Sequence, residues 1–134
     1  MAVVRDEILA KVADPGLRAY VVWTRILDED DLAAARVAGA KLADSRVVQL
    51  WDGGAELARA LGRSLAIPAR EREAGAHGLA WDVYLLYETG VRWGDSPPAP
   101  AFWMDQLRQV APAQAPRLDG PALRARVETA LSTP

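Results

Sequence analysis

Residues 78–94 read GLAWDVYLLYETGVRWG. From Leu79 to Glu88 the run is dense in β-branched, aromatic and leucine side chains and holds no helix breaker. Leu79, Trp81, Val83, Leu85 and Tyr87 share one face at period two, and Ala80, Tyr84 and Leu86 share the other with Asp82. Both faces are mostly apolar, which predicts a strand buried between two layers. Glu88-Thr89-Gly90 supplies turn chemistry, and Val91-Arg92-Trp93 is expected to return as a short antiparallel partner. A strand of this kind running into a hairpin predicts an α/β domain and leaves the activity open.

The rest of the chain bounds that domain. Its 134 residues suffice for one hydrophobic core. A net charge of −2 gives no basic face of the density that nucleic acid requires. All of the 16 basic residues except Lys11 and Lys41 are Arg, a compositional bias rather than a phosphate-binding device. Cysteine is absent, which excludes disulfides, thiol chemistry and thiolate metal sites. No apolar run has the length of a membrane span. Arg5, Asp6 and Glu7 interrupt the start where a signal peptide needs an apolar core, so the chain as written is expected in the cytoplasm. A natural start further upstream would reopen that question.

Upstream of the central run, Val4, Ile8 and Val12 recur at helical spacing until Asp14-Pro15-Gly16. Residues 17–27 form the first strand candidate, with Tyr20–Trp23 unbroken and apolar. Asp28-Glu29-Asp30-Asp31 then precedes a helix over about residues 32–43, where carboxylates cap free N–H groups rather than gather a cation. Val47–Trp51 is extended or helical. Asp52 is expected to cap a helix carrying Leu57, Ala60, Leu61, Ser64 and Leu65; the Gly53-Gly54 pair lacks the rest of a phosphate loop. Pro68–His77 reads as a surface loop or frayed turn, and His77, the single histidine, as a loop residue. Downstream, Asp95–Pro100 must be a loop. Phe102, Trp103, Met104 and Leu107 read as the apolar face of a short helix. Ala111–Pro116 has polyproline character, and Asp119 is expected to cap a last helix over residues 121–131. The domain is thus placed at 1–110, a Pro-rich linker at 111–118, and a C-terminal helix at 119–134, packed on the same domain.

Several of these segments carry a resemblance. WDVYLLYETGVRW (81–93) resembles the C-terminal hairpin of the thioredoxin fold, and DPGLRAYVVWTRILDED (14–30) its second strand and the approach to the crossover helix. Val22-Trp23, Asp44-Ser45-Arg46-Val47 followed by Trp51-Asp52, and Trp81–Tyr87 are similar to a group of poorly described bacterial thioredoxin-like proteins, over residues 5–108. The resemblance implies a three-layer α/β/α domain with a mixed sheet, truncated at its N-terminus. The family's strand and Cys-x-x-Cys loop should precede the first helix, yet the chain begins in that helix. The position of the family's cis-proline falls on Asp82. Without a thiolate nucleophile, dithiol oxidoreductase, peroxidase and isomerase chemistry are ruled out.

Removal of the family's central strand would leave strands 17–27 and 79–88 with open edges. They must pair directly, recruit a strand from a partner, or use another segment such as Val47–Trp51, and any of these could produce a homodimer. Five tryptophans stand at 23, 51, 81, 93 and 103, and two of them are followed by aspartate. Trp23, Trp51, Asp52, Trp81 and Asp82 are therefore the candidate ligand-binding residues, set against the reading of a core rich in aromatics. Indole walls with carboxylates would suit a cationic or polyhydroxylated small molecule. The expectation is a non-catalytic thioredoxin-like domain that acts by protein or small-ligand contact, with no cofactor, metal, nucleic acid or membrane partner. The alternative is a fragment or cysteine-less relative of a thiol–disulfide oxidoreductase.

Overall fold

The computed structural model describes residues 1–70 and 77–132. The chain divides into two compact units, one of Met1–Gly54 with Gly120–Pro134 and the other of Ala55–Asp119. Its class is mixed α/β, with helices and, among the described residues, two two-stranded sheets.

Unit 1 is built on a β-α-β motif. Strands β1 (Ala19–Thr24) and β2 (Val47–Asp52) run parallel, and α1 (Leu32–Gly39), extended by a 3-10 turn at Ala40–Leu42, lies between them in sequence. Val47–Trp51, ambiguous in the sequence, is thus the neighbour of the first strand. Asp31 caps α1, its Oδ1 accepting the Ala34 N–H at 2.7 Å. Asp30 Oδ2 accepts the N–H groups of Ile26 and Leu27, and these bonds lower its pKa. The acidic run therefore works as cap and loop clasp, and no cluster of metal-ligating side chains occurs among the described residues.

The first helix is wound with π geometry over Val4–Leu9. Against it packs the helix at the other end of the chain, Gly120–Leu131, which buries Leu123 and Val127. Arg124 Nη1 donates to Glu7 Oε2 at 3.0 Å. Arg46 ties the approach to β2 onto the first helix. Its guanidinium donates to the Leu9 carbonyl at 2.7 Å and to the Val12 carbonyl, and it also pairs with Asp44.

In unit 2, α2 (Glu56–Ser64) is followed by the antiparallel pair β3 (Val83–Leu86) and β4 (Phe102–Asp105); the helix Gly120–Leu131 of unit 1 is α3. Leu61, Leu65, Ile67, Ala80, Val110 and Ala115 form the core, with Leu57, Val83, Leu85 and Trp103 packed against it.

The expected strand over Leu79–Glu88 is shorter and drier on neither side: four residues, each half-buried. Asp82 takes a left-handed backbone conformation (φ 52°), which breaks the pleat just before Val83. Val91–Trp93 is not the partner strand. That role falls to Phe102–Asp105, expected as helix. Residues 111–118, expected as a linker, are packed into unit 2: Ala115 is buried and Arg117 bridges in parallel to Asp105. Nor does Asp52 cap α2, whose N-cap is Ala55 in a left-handed conformation without a side-chain bond. His77 is exposed and bridges to Pro68; the remainder of the expected 68–77 loop, residues 71–76, lies outside the described residues.

Candidate functional site

Parallel pairing places Trp23 beside Trp51 and Val21 beside Gln49, so these side chains emerge on one face of the β1–β2 ribbon. Helix α1 contributes Leu32, Ala35 and Arg36 to the same region, where a cleft of about 170 Å³ opens at the C-terminal end of the strands. The strands supply Trp23, Gln49, Leu50 and Trp51. In α/β proteins ligands are bound at this end of parallel strands, because helix and loop starts converge there.

Gln49 sets the geometry. Its Nε2 donates to the Gly39 carbonyl at 2.9 Å, and its Oε1 accepts the Trp23 indole N–H at 3.0 Å. Strand, helix and indole are locked through one amide. Gly39 is required for it, since a Cβ there would stand 2.0 Å from Gln49 Oε1. At Trp51 the indole nitrogen lies over Gly53, where a Cβ would approach it to 2.7 Å. Trp51 keeps its N–H without a protein acceptor among the described residues, and the Arg36 guanidinium has no ion-pair or hydrogen-bond partner among them.

Of the five residues singled out in the sequence, Trp23 and Trp51 line the cleft. Asp52 does not; alternation along β2 turns it to the other face, beside Thr24. Trp81 and Asp82 belong to unit 2. There the Arg70 guanidinium sits 5.3 Å from the centre of the Trp81 ring, and Asp82 is exposed. Burial pushes the Tyr84 phenol up, with Asp82 adding to the shift, and its hydroxyl donates to Gln106 Oε1 at 3.0 Å. Arg36 and Gln49 were missed. Both had a signal: Arg36 is the single charge in Leu-Ala-Ala-Ala-Arg-Val-Ala-Gly, and Gln49 the single amide inside an apolar strand.

No family model, curated protein or solved structure matches this chain.

Two other polar features have structural roles. Asp105, 1% exposed, accepts the N–H groups of Leu107 and Val110 at 2.9 and 3.0 Å and thereby folds the corner after β4. A second depression, of about 220 Å³, is lined by Met1, Ala2, Arg5, Lys41 and Leu42. It has no aromatic wall, and Arg5 is held by Asp6 at 2.6 Å. The indole-walled cleft is the better candidate, since it combines apolar area with converging polar groups.

Proposed function

We propose that the chain is a non-catalytic binding domain whose small ligand lies in the cleft between β1–β2 and α1. The observation that carries this reading is the side-by-side placement of Trp23 and Trp51, with one indole fixed by Gln49. Preset aromatic walls bind planar ligands without loss of side-chain freedom. Thermal-shift measurements against a chemically diverse fragment set test it. Stabilising hits that disappear in both Trp23→Ala and Trp51→Ala are expected; hits that persist in both would place the site elsewhere.

The finer reading of the fold, a thioredoxin-like three-layer α/β/α domain with a mixed sheet, draws support from element order. A parallel β-α-β motif, a helix, an antiparallel pair and a closing helix follow one another. On this reading β1 stands where the family's second strand stands, the family's first strand and dithiol loop have no counterpart in residues 1–134, and Asp82 occupies the proline position ahead of β3. The chain has no cysteine, so the resemblance brings a scaffold and not thiol exchange. The alternative, a fragment or cysteine-less relative of a thiol–disulfide oxidoreductase, is tested by translating the DNA upstream of Met1. An in-frame Cys-x-x-Cys motif there would favour it.

A second reading, protein contact by self-association, is favoured by the opposite face of the ribbon. Tyr20 and Val48, paired across the strands, are both exposed, Tyr20 by 66%, although parallel strands are ordinarily covered on both faces. A two-fold dimer would cover such a face. Sedimentation equilibrium over a hundredfold concentration range is expected to show dimer; a single species at 14.5 kDa throughout would overturn it.

A further inference from the structure

The tryptophan–aspartate dipeptides of the sequence suit a cationic or polyhydroxylated ligand, but the charge in the cleft lining is positive. Arg36 is the charged group in its lining, and Asp52 is absent from it. We propose that the cleft binds a small planar aromatic carboxylate, its ring against Trp23 and Trp51 and its carboxylate on Arg36. This rests on the reading of the cleft as a ligand site and assigns the class of ligand.

Three features combine. Two indoles on adjacent strands offer apolar area for one ring, and a volume of about 170 Å³ suits a single ring with a short acidic side chain. The donors differ in their availability. The Trp23 N–H is consumed by Gln49, whereas the Arg36 guanidinium has no acceptor among the described residues. A guanidinium presents paired donors that match the two oxygens of a carboxylate.

The acidic residues ahead of α1 are not part of the cleft lining. Asp30 and Asp31, on the loop into α1, are committed to backbone N–H groups of that loop and helix. Asp28 and Glu29 are exposed to solvent, where screening is strongest. Arg36 does not stack on either indole of the cleft; the cation–π contact of the described residues is that of Arg70 with Trp81. Its guanidinium is therefore available to a ligand rather than occupied by the walls.

Nitrogen-15 correlation spectra provide the test, because each of the five tryptophans contributes its own indole N–H signal. Trp23→Phe and Trp51→Phe assign the two in question. Phenylacetate, the neutral 2-phenylethanol and the cationic phenethylamine are titrated in turn. Phenylacetate is expected to move the Trp23 and Trp51 signals and to bind at least about tenfold more tightly than the alcohol. Arg36→Gln should remove that preference while leaving the alcohol's affinity unchanged, and Arg36→Lys should retain part of it. Equal binding of acid and alcohol, a preference that survives Arg36→Gln, or tighter binding of the amine would overturn the assigned class while keeping the cleft as a site. If none of the three probes moves either signal at millimolar concentration, the cleft reading fails and the proposal with it.

Discussion

At position 62 a single methyl group meets main chain. A Cβ on Gly62 would stand 1.8 Å from the Gly78 carbonyl oxygen, which belongs to backbone and cannot swing aside. Gly62→Ala is therefore expected to destabilise by about 3 kcal/mol, at the upper end of overpacking costs, as read by urea denaturation. Four residues on, the sign reverses. Ala66 ends α2 in a left-handed conformation (φ 50°), with the Ile67 N–H bonded to the Gly62 carbonyl and the Ala66 N–H to that of Arg63. This is the helix stop that glycine serves best, so Ala66→Gly should stabilise by about 1 kcal/mol. A loss on Ala66→Gly would contradict the assigned turn. Asp44 gives a pH-dependent prediction. Hydrogen bonds from the Arg46 side chain and backbone, with its charge, lower its pKa from 3.8 to about 2. The sign follows from linkage: the folded state binds the proton less readily, so the contribution is present above pH 4 and is lost as pH falls towards 2. Asp44→Asn should lower the melting temperature at pH 7, and the gap between variant and parent should close between pH 4 and 2.

Elements were legible where local chemistry decides them and obscure where a distant partner does. The cap at Asp31, the helix over Leu32–Gly39 and the strand within residues 17–27 depend on neighbours in sequence, and all three are present. Phe102–Asp105 went the other way. Its side chains suit helix or strand equally, and pairing with Val83–Leu86 settles the matter. The Leu79–Glu88 alternation concealed a break because Asp, unlike a β-branched residue, tolerates the left-handed region. In the cleft, the aromatic walls were visible as unusual residues, whereas Arg36 and Gln49 depended on the α1–strand approach. That approach can be probed at Gly39. Its added methyl would meet the far end of the Gln49 side chain, which can rotate away, so Gly39→Ala should change stability by less than about 1 kcal/mol. It should nevertheless displace the amide that holds Trp23. The expected result is an unchanged melting temperature with a shifted Trp23 indole signal; an unmoved signal would show that Gln49 does not hold the ring.

For the molecule as a whole, the first unit closes through its ends. Residues 1–54 are completed by α3, so a segment at the end of the chain belongs with the start, and unit 2 is an insertion in sequence between them. Helix α3 buries Leu123 and Val127 and offers Arg124 to Glu7. Removal of the two buried side chains alone withdraws about 3–6 kcal/mol of apolar stabilisation, comparable with the whole stability of a small domain. Unit 2 holds its own core around Leu61, Ile67 and Val110, all within residues 55–119. A chain ending at Asp119 should therefore lose unit 1 selectively. The tryptophans report each unit separately, since Trp23 and Trp51 lie in unit 1 and Trp81, Trp93 and Trp103 in unit 2. In the shortened chain the first two indole signals should collapse to unfolded positions while the other three keep their dispersion. Loss of all five together would mean that the units fold as one cooperative body. Retention of all five would show that α3 is dispensable to the β-α-β motif on which the ligand cleft stands.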